Sequence, residues 1–170
     1  MQRYSPEREF AILSTVCKIA KGFKTLKVPH AHAVALHTEA SKSFFTMETI
    51  DGITLEQIIE MPGERQKFLE GANLTEEKVI ELLLDATSIS AMKNDLDTLH
   101  KEGVLHGDIH PRNIMLDIHG NFHLIDFGNA ILTASLPSGI DYETIENTKE
   151  TDNKAFENSF ITTGKKLQKQ

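Results

Sequence analysis

Two polar clusters interrupt short apolar segments in the second half of this 170-residue chain. The first is H-G-D-I-H-P-R-N (residues 106–113), and the second is D-F-G (residues 126–128). The apolar residues at 114–116 and 122–125, which separate the clusters, have the pattern of short strands. Charged side chains at the ends of buried strands are costly unless they meet a ligand, an ion or a partner. The two clusters are therefore the first places where function is expected.

The spacing within and between the clusters is specific. Asn113 stands five residues after Asp108, and Asp126 stands eighteen residues after it. The turn-forming residues 117–121 between the apolar segments predict a β-hairpin. This combination resembles the H-x-D-x-x-x-x-N catalytic loop and the D-F-G metal motif of the protein-kinase-like superfamily. Residues 99–116 look most like the branch that contains aminoglycoside and choline phosphotransferases and small atypical bacterial protein kinases.

The resemblance implies a role for each polar residue. Asp108 would orient the acceptor hydroxyl and take its proton, while Asn113 and Asp126 would bind the Mg²⁺ that accompanies ATP. Carboxylate and amide oxygens suit this hard cation. His106 would support the loop backbone rather than react, and Gly128 would let the chain turn sharply after Asp126. The implied cofactors are ATP and Mg²⁺.

The resemblance extends to the first predicted helix. Ser5 can cap this helix, Pro6 suits its first position, and Gly22 ends it. The helix looks like the family's αC helix, whose glutamate pairs with the ATP-binding lysine, and Glu9 matches that glutamate. Residues 44–51 look like the strand that leads into the hinge.

By the same resemblance, backbone atoms of Met47, Glu48 and Thr49 would meet the adenine. In the family, the glycine-rich loop and the lysine of the third strand precede the αC glutamate. Eight residues precede Glu9 here, and no G-x-G-x-x-G occurs anywhere. The resemblance therefore implies a truncated N-lobe.

Caps and periodicity predict the remaining elements. Thr54 can cap a brief helix after an Asp51-Gly52 turn, and residues 61–73 have the composition of a loop. Residues 75–101 keep a helical period throughout and predict one long helix, and a second strand-like segment lies at 34–36. The polar residues after Pro137 predict a tail or a short, weakly packed helical cap.

The predicted fold is α+β and protein-kinase-like, with a truncated N-lobe and a minimal helical C-lobe. We expect a kinase-like domain at residues 1–136. Within it, residues 1–52 would form a partial N-lobe and residues 53–136 the core of the C-lobe. Residues 137–170 would form the polar tail or helical cap.

Composition excludes several classes of protein. The net charge of −7, from 18 basic and 25 acidic residues, argues against a dedicated nucleic-acid binder. The single cysteine, Cys17, excludes an internal disulfide framework and a cysteine-based zinc site. No apolar segment approaches the length of a membrane span. A cytoplasmic protein is expected, and the resemblance to minimal effector kinases of bacterial pathogens adds secretion into a host cell as an alternative.

The predicted function is Mg²⁺-dependent transfer of the ATP γ-phosphate to a hydroxyl group, with a protein serine or threonine as the favoured acceptor. Position 110 is histidine where eukaryotic serine/threonine kinases usually have lysine, so a small-molecule acceptor of the aminoglycoside or choline type stays open. A degenerate kinase that acts as a binding module is the second alternative.

Histidine patterns suggest a third alternative, a metallohydrolase-type site. His106, Asp108 and His110 alternate along the chain, and His30 and His32 could add two more imidazoles. This alternative leaves the D-F-G motif unexplained. Three further histidines are interpreted as surface or hairpin residues without a functional role: His100, His119 and His123.

Overall fold

The computed structural model describes residues 6–37, 42–135 and 141–170. Its helices are α1 (Pro6–Ala20), α2 (Leu55–Glu60), α3 (Pro62–Ala72), α4 (Glu76–Leu84), α5 (Ala86–Lys101) and α6 (Tyr142–Leu167). Its strands are β1 (Ala31–His37), β2 (Lys42–Met47), β3 (Gly52–Thr54), β4 (Val104–Leu105), β5 (Ile114–Asp117), β6 (Phe122–Leu124) and β7 (Ile131–Leu132). Short 3₁₀ helices occupy Pro111–Asn113 and Thr133–Ser135. Within these ranges no helix is long and apolar enough to span a membrane.

Helix α1 packs against the antiparallel pair β1 and β2. The helix begins at Pro6 as predicted, whereas its predicted cap, Ser5, lies outside the described residues. Its inner face buries Ile12, Leu13 and Val16, because apolar residues three and four apart lie on one side of a helix. Both predicted strands are confirmed.

The second sheet has the order β3-β5-β6 and contains the predicted hairpin, with Ile114 opposite Leu124. Strand β3 was not predicted, because Asp51-Gly52 has the composition of a turn. Gly52 instead pairs with β5, where an added Cβ atom would lie 2.5 Å from the carbonyl oxygen of Leu116. The glycine allows two backbones to approach closely.

The interpretation of residues 61–73 as a loop is wrong, because most of them form α3. Pro62 occupies the first turn, where its missing N–H costs no hydrogen bond, and Asn73 ends the helix with a left-handed φ of 52°. None of the helix residues is buried. Hydrophobic periodicity therefore gave no signal for this helix.

The single long helix predicted at 75–101 is also wrong, because the chain breaks at Asp85. Asp85 has an extended backbone, and its carboxylate accepts hydrogen bonds from the Thr87 N–H and the Ser88 hydroxyl. This side chain caps α5 while α4 keeps its predicted cap at Thr75. The break leaves the hydrophobic period nearly continuous, so the pattern alone does not reveal it.

Helix α6 is 26 residues long and packs against α2, α4 and α5. Phe156 and Phe160 are fully buried, and the ring centroid of Phe160 lies 4.8 Å from the ring centroid of Phe122 on β6. The sequence predicts a tail or a short, weakly packed helical cap here, whereas the helix is long and well packed. The proposed domain boundary at 136/137 stays a prediction, because residues 136–140 lie outside the described residues.

Asp95 of α5 fixes the loop between α1 and β1. Its carboxylate accepts hydrogen bonds from the backbone N–H groups of Lys24, Thr25 and Leu26 at 2.8–3.2 Å, and from the Thr25 hydroxyl at 2.9 Å. Burial acts to raise the pKa of Asp95, but these hydrogen bonds outweigh it and lower the pKa overall. Lys27 continues the anchor through backbone hydrogen bonds to β6.

We expect Asp95→Asn to lower the free energy of unfolding at neutral pH by about 1.5–3 kcal/mol, because the buried N–H groups lose a charged acceptor. The folded-state pKa lies below the usual 3.8, so this contribution is present above pH 3.8 and is lost as the pH falls through the folded pKa. Urea unfolding should show the wild type and variant converging at acidic pH. Asp51→Asn, at an exposed position, is the control, and an equal loss in both variants would contradict this account.

Candidate active site

The imidazole of His106 organises the first polar cluster. Its Nε2 lies 3.0 Å from the Ile125 carbonyl oxygen, and its Nδ1 accepts the Asp108 backbone N–H at 3.3 Å. Because Nδ1 accepts this N–H, it carries no proton, and burial lowers the pKa of His106 in agreement with a neutral ring. Because a carbonyl oxygen can only accept, the proton is on Nε2. As expected, His106 supports the loop backbone, and both ring nitrogens are occupied.

This geometry removes the metallohydrolase alternative. Within the described ranges, no three histidine, cysteine, aspartate or glutamate side chains converge to hold a metal ion. His30 and His32 contact each other, with ring centroids 5.4 Å apart, on a different part of the chain from His106. The H-x-D-x-H pattern therefore reflects the loop conformation rather than a ligand set.

Asp152, on α6, holds the backbone just before Asp108. Its carboxylate accepts the N–H of His106 at 2.9 Å and the N–H of Gly107 at 3.0 Å, and it lies 3.3 Å from Nε2 of His100. Asp152 is 2% exposed. A buried carboxylate with several donors fixes its neighbours strongly, so α6 helps to hold the loop of residues 106–113 in place.

The sequence does not reveal this support. It predicts His100 to be a surface or hairpin residue without a functional role, but His100 is buried and contacts Asp152. The available signal was the position of Asp152 on α6, four residues before Phe156 and eight before Phe160. An acidic residue on the apolar face of an amphipathic helix needs a buried partner.

Asp108 and Asn113 lie side by side in the loop. The Asn113 amide nitrogen donates to the Asp108 carbonyl oxygen at 2.9 Å, which leaves the amide oxygen of Asn113 for another partner. The Asp108 carboxylate is partly exposed, with one oxygen 3.4 Å from His110 Nε2. Its other oxygen accepts a hydrogen bond from the Asn129 amide at 3.0 Å.

The D-F-G motif is joined to this loop by one backbone hydrogen bond. The Ile125 N–H donates to the Asn113 carbonyl oxygen at 3.0 Å, which places Asp126 beside Asn113. Asp126 has a left-handed φ of 61°, so the aspartate itself makes the turn that was assigned to Gly128. Short polar residues tolerate this conformation best after glycine. The Gly128 N–H then donates to the Asp126 carboxylate at 3.2 Å.

A cavity of about 600 Å³ opens between residues 47–50 and the second sheet. Asp126 lines this cavity. The four residues predicted to contribute to nucleotide binding also line it: Glu9, Met47, Glu48 and Thr49. Apolar side chains complete the walls: Pro29, Ile50, Met115 and Ile125. The volume lies within the range of small-molecule sites, which combine apolar walls with a few polar groups.

Glu9 contributes a buried carboxyl group to this cavity. The residue is 9% exposed, and its Oε2 atom has no hydrogen-bond partner among the described residues. A buried carboxylate oxygen is costly to leave unpaired. Because Glu9 lines the cavity, this oxygen is available to a hydrogen-bond donor or a cation of a ligand bound there.

The residues present fit Mg²⁺. Asn113 offers its amide oxygen, because its amide nitrogen donates a hydrogen bond to the Asp108 carbonyl oxygen, and Asp126 offers an exposed carboxylate one residue after Ile125, which hydrogen-bonds to Asn113. Mg²⁺ prefers such oxygen ligands and is usually bound through one or two protein groups plus substrate phosphates.

A comparison with known families decides the classification. Residues 15–150 match the family model of the protein kinase domain. The chain belongs to the protein kinase family. The match includes Asp108, Asn113 and Asp126, and it begins after Glu9. The family has the α+β kinase fold, and the described elements fit that class.

Several curated kinases are similar to this kinase domain. The serine/threonine-protein kinase PknD of Protochlamydia amoebophila is 29% identical over 115 residues, covering 62% of this chain and 11% of that protein. The probable serine/threonine-protein kinase PknB of Lactococcus lactis is 31% identical over 90 residues, covering 53% and 12%. The chain thus spans only about a tenth of the length of these relatives. A solved structure of the yeast RNA Pol II CTD kinase CTDK-1 complex is similar with a TM-score of 0.49 and 19% identity, covering 84% of this chain and 39% of that chain.

Proposed function

We propose that this kinase domain transfers the γ-phosphate of ATP to a hydroxyl group, with Asp108, Asn113 and Asp126 as its catalytic and metal-binding residues. One observation carries the proposal. A single cavity brings Glu9 and the hinge residues 47–49 to Asp126, although these segments are far apart in sequence. Phosphoryl transfer depends on positioning and charge stabilisation, which this arrangement can supply.

In the proposed complex, backbone atoms of Met47 to Thr49 contact the adenine, and Pro29 and Met115 contribute apolar walls. Mg²⁺ bound by Asn113 and Asp126 would neutralise charge on the phosphates. Glu9 would pair with a cationic group, as the matching glutamate of the family pairs with the ATP-binding lysine.

Asp108 provides the base. Its carboxylate orients the acceptor hydroxyl and takes its proton as the acceptor oxygen bonds to the γ-phosphorus. The bond from that phosphorus to the bridging oxygen breaks, and ADP leaves. The side-chain amide of Asn113 donates a hydrogen bond to the backbone carbonyl oxygen of Asp108 and so holds this residue in place. The Asp152 carboxylate accepts the N–H groups of His106 and Gly107, the two residues before Asp108.

We propose a protein serine or threonine as the acceptor, within a minimal atypical kinase acting in the cytoplasm. The names of the similar kinases support this acceptor class. His110 stands where eukaryotic serine/threonine kinases usually have lysine, which keeps a small-molecule acceptor as the second candidate.

Transfer of labelled phosphate tests these proposals. The full chain would be incubated with γ-labelled ATP and Mg²⁺, with either a mixture of unfolded proteins or a panel of aminoglycosides and choline. Label on protein serine or threonine is the expected result. Label on a small molecule would overturn the acceptor class, and ATP binding without transfer to any acceptor would favour the binding-module alternative.

A further inference from the structure

The Asp108 carboxylate is held from the segment that follows the D-F-G motif. The side-chain amide of Asn129 donates to one Asp108 oxygen at 3.0 Å, while His110 Nε2 lies 3.4 Å from the other. The terminal torsion of an aspartate is otherwise broad. Contacts on both oxygens therefore restrict how the carboxylate can face an acceptor hydroxyl.

Asn129 is itself held by α1. The Arg8 guanidinium donates to the carbonyl oxygens of Gly128, at 3.1 Å, and Ala130, at 2.6 Å. These two carbonyls flank Asn129, so the planar guanidinium fixes the backbone on both sides of it. Ala130 is fully buried, and its N–H donates to the Phe127 carbonyl, which closes a tight turn around Asn129.

The catalytic loop approaches the same turn from the other side. Gly107 has a φ of +75°, and a Cβ atom added there would lie 3.3 Å from the Asn129 carbonyl oxygen. A side chain at position 107 would be strained in this conformation and would press on the turn. The bare backbone of Gly107 thus lets Asn129 lie close enough to reach Asp108.

We propose that Asn129 is a positioning residue for Asp108 and that Arg8 acts through it, so that α1 controls the orientation of the proposed catalytic carboxylate. This inference rests on the proposed function, because it assigns the orientation to phosphoryl transfer. The link runs from the Arg8 guanidinium through the 128–130 backbone to the Asn129 amide. It is separate from Glu9, the next residue of α1, which faces the nucleotide cavity.

Kinetics of the full chain with labelled ATP test the positioning role. We expect Asn129→Leu to lower kcat about ten- to a hundredfold with KM for ATP unchanged, because a small displacement of a reacting group is costly. Asn129→Gln, which keeps an amide donor, should recover part of the rate. Asn158→Leu, the same substitution at an exposed position of α6, is the control. Thermal unfolding of each variant separates loss of rate from loss of fold.

A double-variant cycle tests the link to α1. Arg8→Met keeps the aliphatic stem but removes the guanidinium, and it should lower kcat in the same way. Combined with Asn129→Leu it should cause little further loss, because both changes break one connection. Losses that multiply would overturn the link, and an unchanged kcat in Asn129→Leu would overturn the positioning role.

Hydrogen exchange gives a readout that does not need activity. In nuclear magnetic resonance spectra, the side-chain amide protons of Asn129 should exchange with water more slowly in the wild type than in Arg8→Met or Asp108→Ala. Equal exchange in all three proteins would overturn the inference. If the wild type transfers no phosphate, the proposed function fails, and slow exchange still supports the structural link by itself.

Discussion

Replacing Asp108 with asparagine is expected to reduce phosphoryl transfer by about a hundred- to ten-thousandfold, the usual contribution of a general base. Asparagine has the same shape but cannot accept the proton of the acceptor hydroxyl. Asp108 is not among the residues that line the nucleotide cavity, so the affinity for ATP with Mg²⁺ should not change.

Single-turnover transfer and equilibrium binding, measured on the same preparation, check this prediction. Glu102→Gln removes a carboxylate from the exposed end of α5 and should transfer phosphate at the wild-type rate. Undiminished transfer by Asp108→Asn would contradict the assignment of the base. Lost binding would instead mean that Asp108 holds the nucleotide.

Replacing Asp126 with alanine is expected to abolish the Mg²⁺-dependent part of nucleotide binding. The substitution removes an exposed carboxylate that lines the cavity and is proposed to bind the metal. With ligand at about a hundred times its Kd, the wild type should gain about 2.7 kcal/mol. That gain corresponds to a rise in Tm of about 5–10 °C for a domain of this size.

Thermal unfolding with ATP, with and without Mg²⁺, measures the effect. Asp126→Ala should show the same small shift in both conditions, whereas the wild type should respond to the metal. Glu102→Ala serves as the control and should behave as the wild type. An equal Mg²⁺-dependent shift in Asp126→Ala and the wild type would show that the metal is bound elsewhere.

Local patterns predicted the parts of the site that are close in sequence. The hairpin between Asn113 and Asp126 follows from two apolar segments around a turn, and its pairing brings the loop and the D-F-G motif close together. Helix α1 follows from its periodicity and from Pro6. The hinge residues and Glu9 required the family resemblance, because nothing local relates α1 to residues 47–49.

The contacts that hold the site were not predictable in the same way. Asp152 lies 46 residues after His106 and meets it only when α6 packs against the loop. The Arg8 contacts to residues 128 and 130 span about 120 residues. Such contacts depend on the complete tertiary packing, and hydrophobic periodicity carries no information about them.

The two secondary-structure predictions that are wrong have simpler causes. Helix α3 fully buries none of its residues, and only Phe68 and Leu69 pack against the core, so its apolar face is too short for a helical period to show. The break at Asp85 is a single extended residue whose own side chain caps the next helix. Aspartate also occurs inside helices, so the sequence alone does not show that Asp85 caps a new helix. The extended backbone of Asp85 in the structure shows it.

A second large groove is an alternative location for the nucleotide. It lies between α5 and α6, has a volume of about 640 Å³, and is lined by lysines that could attract phosphate: Lys93, Lys101, Lys149 and Lys154. Glutamates in the same lining pair with several of them, including Glu157 with Lys93 at 2.8 Å. These pairs offset much of the attraction for an anion.

Photoaffinity labelling with 8-azido-ATP, mapped by mass spectrometry, distinguishes the two locations. If the nucleotide lies in the cavity beside Glu9 and Asp126, the adducts fall on residues 47–50 or on Met115, increase when Mg²⁺ is added and disappear with excess ATP. Adducts on Lys93, Lys101 or their neighbours would contradict the assignment of the nucleotide site.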